Sequence, residues 1–319
     1  MVVLLLSFVF FLVAAVVGYN IWTRPVQNID PNGKVVVVTG AAGGLGSDLT
    51  RRLLKMGAKV IAHDIKMEAL QKQFPGSNPN LEFFACDISE LSQVEALATF
   101  TKECLKKWNT PYLFCLVNMA GIARTFNQKF IAPMVSLNDA EMLGVFGVNI
   151  FAMIRCTNAL YPLMKHNFTE NKDKESPIIV NIASLAGIVA PPFFNYYTAT
   201  KFAAVGYSDS LRRELAHAGV RVSCIKPGFA DTNIVTLKPH DPDCVNFGPI
   251  VQRNLNRKTA DFGGLMKPSK VTDAIVTCMF SSNETYPVHY IVEPPIKFII
   301  TMIAVYVLPR RWLDAIIAK

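Results

Sequence analysis

The sequence predicts one doubly wound α/β domain, a parallel sheet with helices on both faces, placed behind an apolar N-terminal helix. Three observations predict it. From Lys34 onward, short β-branched or apolar runs alternate with stretches of helical apolar spacing. The runs are apolar almost throughout rather than at every second position, the mark of strands buried on both faces. A glycine-rich turn, Thr39 to Gly46, stands between the first strand-like run and the first helical one, where such domains bind nucleotides.

The elements follow in order. Residues 1–23 carry no charge, and MVVLLLSFVFFLVAAVVGYNIW is long enough to cross a bilayer as a helix. No Lys or Arg precedes the run, as it would in a secretory signal. Tyr19, Asn20 and Trp22 after it suit a membrane interface. A retained anchor is therefore expected; cleavage would instead give a secreted soluble protein. Residues 24–33, with two prolines, read as a linker. Lys34–Thr39, Ala58–Ala62, Leu81–Cys86, Tyr112–Val117, Ile178–Ile182 and Val220–Ile225 read as strands, and Gly44–Met56 as the first helix. The domain is expected to occupy 34–290, with His166–Ser176 a polar surface loop. The stretch 236–270, rich in Pro and Gly, is too long and irregular for a simple connection and reads as a substrate loop. Residues 291–319 include Ile296–Leu308, short for a span and better suited to an interfacial helix or a hydrophobic lip.

Composition narrows the function. Hydrophobic residues make up 51% and charged ones 18%, with much of the apolar excess at the two ends. The net charge of +8 is scattered, with no basic helix or interleaved aromatic strip, so nucleic acid is not the expected partner. A basic domain beside an anionic membrane surface is the simpler account. The seven cysteines include no CxxC pair, so neither a metal site nor a disulfide framework is indicated.

Glycines in the Thr39–Gly46 turn let the backbone bend tightly and approach a pyrophosphate, whose charge a helix N-terminus stabilises. Asp64 closes the second strand eighteen residues after Gly46. An acid there can bond the adenosine ribose and would repel a 2′-phosphate, so NAD is favoured over NADP. The competing reading makes Asp64 a cap for the next helix, and Lys66 stands nearby.

These residues resemble those of the short-chain dehydrogenase/reductase superfamily. TGAAGGLG resembles its TGxxxGxG turn. Asn118-Met119-Ala120-Gly121 resembles NNAG, with Met119 departing at the second position. Ser184 lies in NIASLAG, and Tyr197 to Lys201 form YxxxK. Pro227-Gly228 followed by Thr232 resembles the segment that closes over the nicotinamide. The order and spacing hold from Lys34 to Asn233. The resemblance implies a Rossmann-type oxidoreductase using NAD, with NADP the less favoured cofactor. Gly40, Gly44, Leu45 and Gly46 would meet the pyrophosphate, and Asp64 and Asp87 the adenosine. Asn118, Ala120, Gly121, Pro227, Gly228 and Thr232 would border the remainder, with Tyr197 and Lys201 shared with catalysis. For Asp87 a plain strand-end turn is a close second reading. SDSLRREL, AGVRVSCIKPGF and VLPRRWLDAI, with the anchor, are similar to the membrane-bound retinol and hydroxysteroid dehydrogenase branch. That branch implies an endoplasmic reticulum or lipid-droplet membrane. The family's pairing through edge helices implies a homodimer.

The chemistry can also be argued from the residues. Tyr197 and Lys201, four apart, share a helix face. A free phenol is a poor base near neutral pH, but an ammonium and a cationic nicotinamide beside it favour the phenolate. Tyr197 could then take a hydroxyl proton, or give one in reverse. Ser184, at a strand's C-terminal end, would orient the substrate oxygen. Asn149 in GVNIFA resembles the family asparagine that holds a water in a proton relay to the lysine. Taken singly, each has an ordinary structural reading; in this order behind a dinucleotide turn, the set points to catalysis. Leu185, Ile188, Val189, Phe193, Phe194 and, beyond Gly228, Phe229, Ile234, Val235 and Leu237 would build an apolar pocket for a lipid alcohol. Two rivals stand: an NADP-dependent reductase of a lipid ketone or aldehyde, and a non-catalytic membrane scaffold of the same fold. Charges flanking the anchor weakly place the domain in the cytosol; the sequons at Asn167 and Asn283 would be usable if it were luminal.

Overall fold

Val35–Thr39, four valines and a threonine, forms β1, and all five residues are buried; β-branched chains fit a pleated surface packed on both faces. In the computed structural model the described residues are 29–123, 139–164, 175–190, 194–228, 230–232, 266–282 and 289–292. The expected anchor, both sequons, the substrate loop up to residue 265 and the C-terminal apolar segment lie outside them.

The helix α1, Gly44–Lys55, follows β1 and the glycine turn. Next come β2 (Lys59–Asp64), α2 (Met67–Gln73), β3 (Leu81–Ala85), α3 (Leu91–Lys107) and β4 (Cys115–Asn118). A helix runs on from Asp139 to Met164 in three parts: α4 (Asp139–Phe146), a π-helical turn (Gly147–Phe151) and α5 (Ala152–Met164). After β5 (Ile178–Ile182) come a 3₁₀ turn (Leu185–Gly187) and the long α6 (Asn195–Leu215). β6 (Arg221–Pro227), α7 (Pro268–Phe280) and β7 (His289–Val292) complete the described chain.

All seven strands are parallel, in the order β3-β2-β1-β4-β5-β6-β7. Six were expected. The seventh, β7, pairs Val292 with Pro227 and so carries the sheet past Tyr290. The chain builds β1, β2 and β3 in one direction and then returns to place β4 on the other side of β1. That reversal opens a crevice at the carboxyl ends of β1 and β4, the ligand position in open α/β sheets.

Alternation along the strands divides the core. Val36 and Val38 of β1 pack with Leu49 and Leu53 of α1 and with Val271, Ile275 and Met279 of α7. Val35 and Val37 face the other way, onto Leu97 of α3, Leu160 of α5 and Leu211 of α6. The Asp139–Met164 helix is apolar enough to cross a membrane by composition, yet half of its most apolar stretch is buried in the domain. Cys86, Cys104, Cys115, Cys156, Cys224 and Cys278 are buried free thiols. Burial pushes those of Cys86, Cys104, Cys156 and Cys278 up to about 12, so they stay protonated and unreactive.

Candidate active site

The crevice is shaped first by glycines. Gly40 sits at φ +71°, in the left-handed region, with Ala120 packed against it: a Cβ there would stand 2.9 Å from Ala120 Cα. At Gly46 a Cβ would lie 2.2 Å from the Gly40 carbonyl oxygen, so only glycine lets α1 start this close to the strand. The amides of Gly44, Leu45 and Gly46 open α1 ahead of its Ser47 N to Gly43 O bond of 2.8 Å. Neither a capping side chain nor an acidic residue neutralises this helix start. Thr232, beyond Pro227 and Gly228, lies across from it: a Cβ on Gly44 would meet Thr232 Cγ2 at 3.0 Å.

Thr39 joins the turn to β4. Its hydroxyl accepts from Met119 N (3.0 Å) and Ala120 N (3.1 Å), placing Met119 to Gly121 beside the glycines. Asn118 lies deeper than the sequence suggested. Its amide nitrogen donates to Thr157 Oγ1 at 3.1 Å and Asn181 Oδ1 at 2.9 Å, tying β4 to β5 and α5 beneath the crevice. Asp64 does not cap α2, whose cap position is Lys66. Its carboxylate accepts from Ala42 N (3.0 Å) and Ile65 N (2.9 Å), holding it against the glycine turn. Asp87 closes a strand-end turn by accepting from the Ser89 amide (2.9 Å) and hydroxyl (2.7 Å).

Ser184, Tyr197 and Lys201 come together where β5 meets α6. Ser184 caps the 3₁₀ turn, its Oγ accepting from Ala186 N at 3.1 Å, and stands near enough to the Tyr197 phenol to draw its pKa downward. Lys201 Nζ lies 5.5 Å from the centre of the Tyr197 ring and donates to Ile182 O at 2.9 Å. Burial lowers the Lys201 ammonium to about 8. Burial also raises Tyr197, and Ser184 only partly opposes it. The sequence led us to expect an ammonium that favours the phenolate. In the chain alone the amine is turned to a carbonyl, and removal from water dominates the phenol.

Asn149 occupies the π-helical turn and is fully buried. Its Oδ1 accepts from Ile122 N and its Nδ2 donates to Ile122 O, both at 2.8 Å. Nδ2 also donates to Thr200 Oγ1 at 3.1 Å, and Thr200 in turn to Tyr197 O at 2.7 Å. Asn149 thus braces the Gly121–Ile122 turn against α6, and Gly121 lies between it and Lys201. Of the apolar residues expected around the substrate, Phe194 is described: its ring meets Tyr197 edge-on at 6.2 Å. Leu185, Ile188 and Val189 lie between Ser184 and that point; Phe193, Phe229, Ile234, Val235 and Leu237 fall outside the described residues. No cluster of three metal-ligating side chains occurs among the described residues.

Comparison with known proteins identifies the family. Residues 34–243 match the family described as short chain dehydrogenase. Zerumbone synthase of Zingiber zerumbet is 29% identical over 256 residues, covering 76% of this chain and 86% of that protein. Retinol dehydrogenase 16 of Homo sapiens is 30% identical over 203 residues, covering 64% of this chain and 59% of that protein. Among solved structures, a 3-ketoacyl-(acyl-carrier-protein) reductase of Brucella melitensis complexed with NADH superposes with a TM-score of 0.66 at 25% identity, covering 82% of this chain and 97% of that one. A short chain dehydrogenase of Burkholderia cenocepacia in complex with NADP gives 0.65 at 24% identity, covering 91% and 100%, a likeness of fold.

Proposed function

We propose that this chain, which belongs to the short chain dehydrogenase family, oxidises a hydroxyl on an apolar, lipid-like alcohol with NAD, Tyr197 taking the proton. Membership makes it an oxidoreductase of a fold that binds NAD or NADP. The observation that carries the finer reading is the meeting of Ser184, Tyr197 and Lys201 beside a glycine turn whose helix start is uncapped.

The residues fit a dinucleotide. At Gly40 and Gly46 the cradle has no room for a Cβ, and the α1 amides and helix dipole suit a pyrophosphate. Asp64, aimed by two backbone amides, supports NAD because a second anion on the ribose would face it. NAD, when bound, accepts the hydride. Ser184 orients the substrate hydroxyl, and its place beside the phenol puts Tyr197 within reach of the same oxygen. Since burial keeps the phenol protonated in the free chain, Tyr197 must shed its proton before it can act in the oxidative direction. Lys201, still an ammonium below about 8, is the local cation that favours that loss once its amine turns from Ile182. Asn149 keeps the Gly121–Ile122 turn, and so the wall beside Lys201, in place.

An apolar substrate is supported by Phe194 against Tyr197 and by the likeness to retinol dehydrogenase 16. The uncharged run at 1–23 supports attachment to an endoplasmic reticulum or lipid-droplet membrane. Exposed Leu143, Phe151 and Phe202, on helices that touch one another, support a homodimer.

The test is turnover of the detergent-held protein with NAD against retinol, hydroxysteroids and long-chain alcohols, for the wild type and Tyr197→Phe. The variant should lose on the order of a thousandfold in turnover and bind NAD as before. Retention of most activity would refute the role of Tyr197. Absence of wild-type turnover and of NAD binding would refute the enzyme reading.

A further inference from the structure

His63 stands one residue before Asp64 and is 2% exposed. Its Nε2 lies 3.0 Å from the carbonyl oxygen of Cys86. A carbonyl can only accept, so Nε2 carries the proton and donates. Nδ1 is then a bare acceptor, and it is buried with no hydrogen-bond partner. An aliphatic side chain at this position would avoid that cost, so the imidazole calls for an explanation.

Its bonds supply one. The His63 carbonyl accepts from Ala41 N at 2.8 Å, in the glycine turn. The next residue, Asp64, accepts from Ala42 N through its side chain and from Cys86 N (3.1 Å) through its backbone. The paired register of β2 and β3 ends at Asp64 and Ala85. The Cys86 carbonyl therefore lies beyond the ladder, and the His63 side chain donates to it where a strand no longer does. Cys86 leads directly into Asp87. His63 thus touches the glycine turn through its backbone carbonyl and the end carrying Asp87 through its side chain, with Asp64 next to it in the strand.

We propose that His63 is a positioning residue for an adenine nucleotide: its bond to the Cys86 carbonyl sets Asp87 relative to Asp64, so that the two acids grip the adenosine together. This rests on the reading of the crevice as an NAD site. The charged groups facing the ring are Asp64 and Asp87, with the Cys86 thiol protonated between them. Burial lowers the histidine against the pull of both acids, so the ring stays neutral and leaves their charge available to the ligand.

Titration calorimetry on the full chain in detergent, with NAD, ADP-ribose and nicotinamide mononucleotide, tests this. In His63→Gln the amide nitrogen reaches as far as Nε2 and keeps the donor; in His63→Asn it falls short. Losing one such bond should weaken NAD and ADP-ribose about tenfold in His63→Asn. Nicotinamide mononucleotide affinity and turnover at saturating NAD should stay unchanged. His63→Gln should bind within about threefold of wild type. The proposal is overturned if His63→Asn binds ADP-ribose like wild type, if the Gln variant is as weak as the Asn variant, or if nicotinamide mononucleotide weakens equally. A wild-type chain that binds neither NAD nor ADP-ribose overturns the cofactor reading, and this inference with it.

Discussion

Replacing Lys201 by Met is expected to change the pH dependence of folding more than its strength. The lysine is 4% exposed, and burial lowers it from the ordinary 10.5 to about 8. At about 1.36 kcal/mol per pH unit, the folded chain holds that proton about 3 kcal/mol less tightly than the unfolded chain. At pH 7 both states carry it, so the whole penalty is present. Between about 8 and 10.5 the folded lysine is neutral while the unfolded one is still protonated. The unfolded state then binds more protons, so stability rises with pH across that window. Methionine carries no such penalty but leaves the Ile182 carbonyl unpaired, at about 1–3 kcal/mol. Near neutral pH the two effects offset one another to within about 2 kcal/mol. In urea melts followed by circular dichroism, wild-type stability relative to Lys201→Met should climb by about 3 kcal/mol from pH 7.5 to 10.5. A flat difference would show that the ammonium is not paying for burial, and the reasoning would fall. Turnover should be lost in the variant at every pH.

Asp64→Ser should remove the anion proposed to meet the ribose, weakening NAD about tenfold while strengthening NADP; an unchanged preference by calorimetry would show that other residues choose the cofactor. Gly46→Ala places a methyl 2.2 Å from the Gly40 carbonyl, so the turn must open. A rise in melting temperature with NAD is expected of the wild type and should vanish in the variant; its persistence would mean that the cofactor does not lie in this cradle.

The sheet was legible because its strands are runs of Val, Ile and Leu, and the crevice because glycine is required where backbone meets backbone, as at Gly46. β7 was not, since HYIV is four residues long and follows a polar stretch. Its strand character comes from pairing with β6 rather than from its own pattern. The π-helical turn at Asn149 was equally hidden: one extra residue in a turn hardly disturbs a 3.6-residue apolar period. For Asn118 the motif located the residue but not its direction, which follows from neighbours on β5 and α5 far away in sequence. His63 was passed over because a single histidine in a strand carries no spacing signal; the feature that betrays it is an orphaned nitrogen, visible only once the fold is closed.

Ala230 pairs with Met266, and Asp231 N donates to Met266 O at 2.9 Å. The chain therefore leaves the framework and rejoins it at one spot, opposite the glycine turn. An excursion whose two ends are stapled together can grow or shrink without pulling on the sheet, and doubling its length costs only about 0.6 kcal/mol of closure entropy. The scaffold can thus take changes of length between those ends while Ser184, just past β5, and Tyr197 and Lys201 on α6 stay where they are.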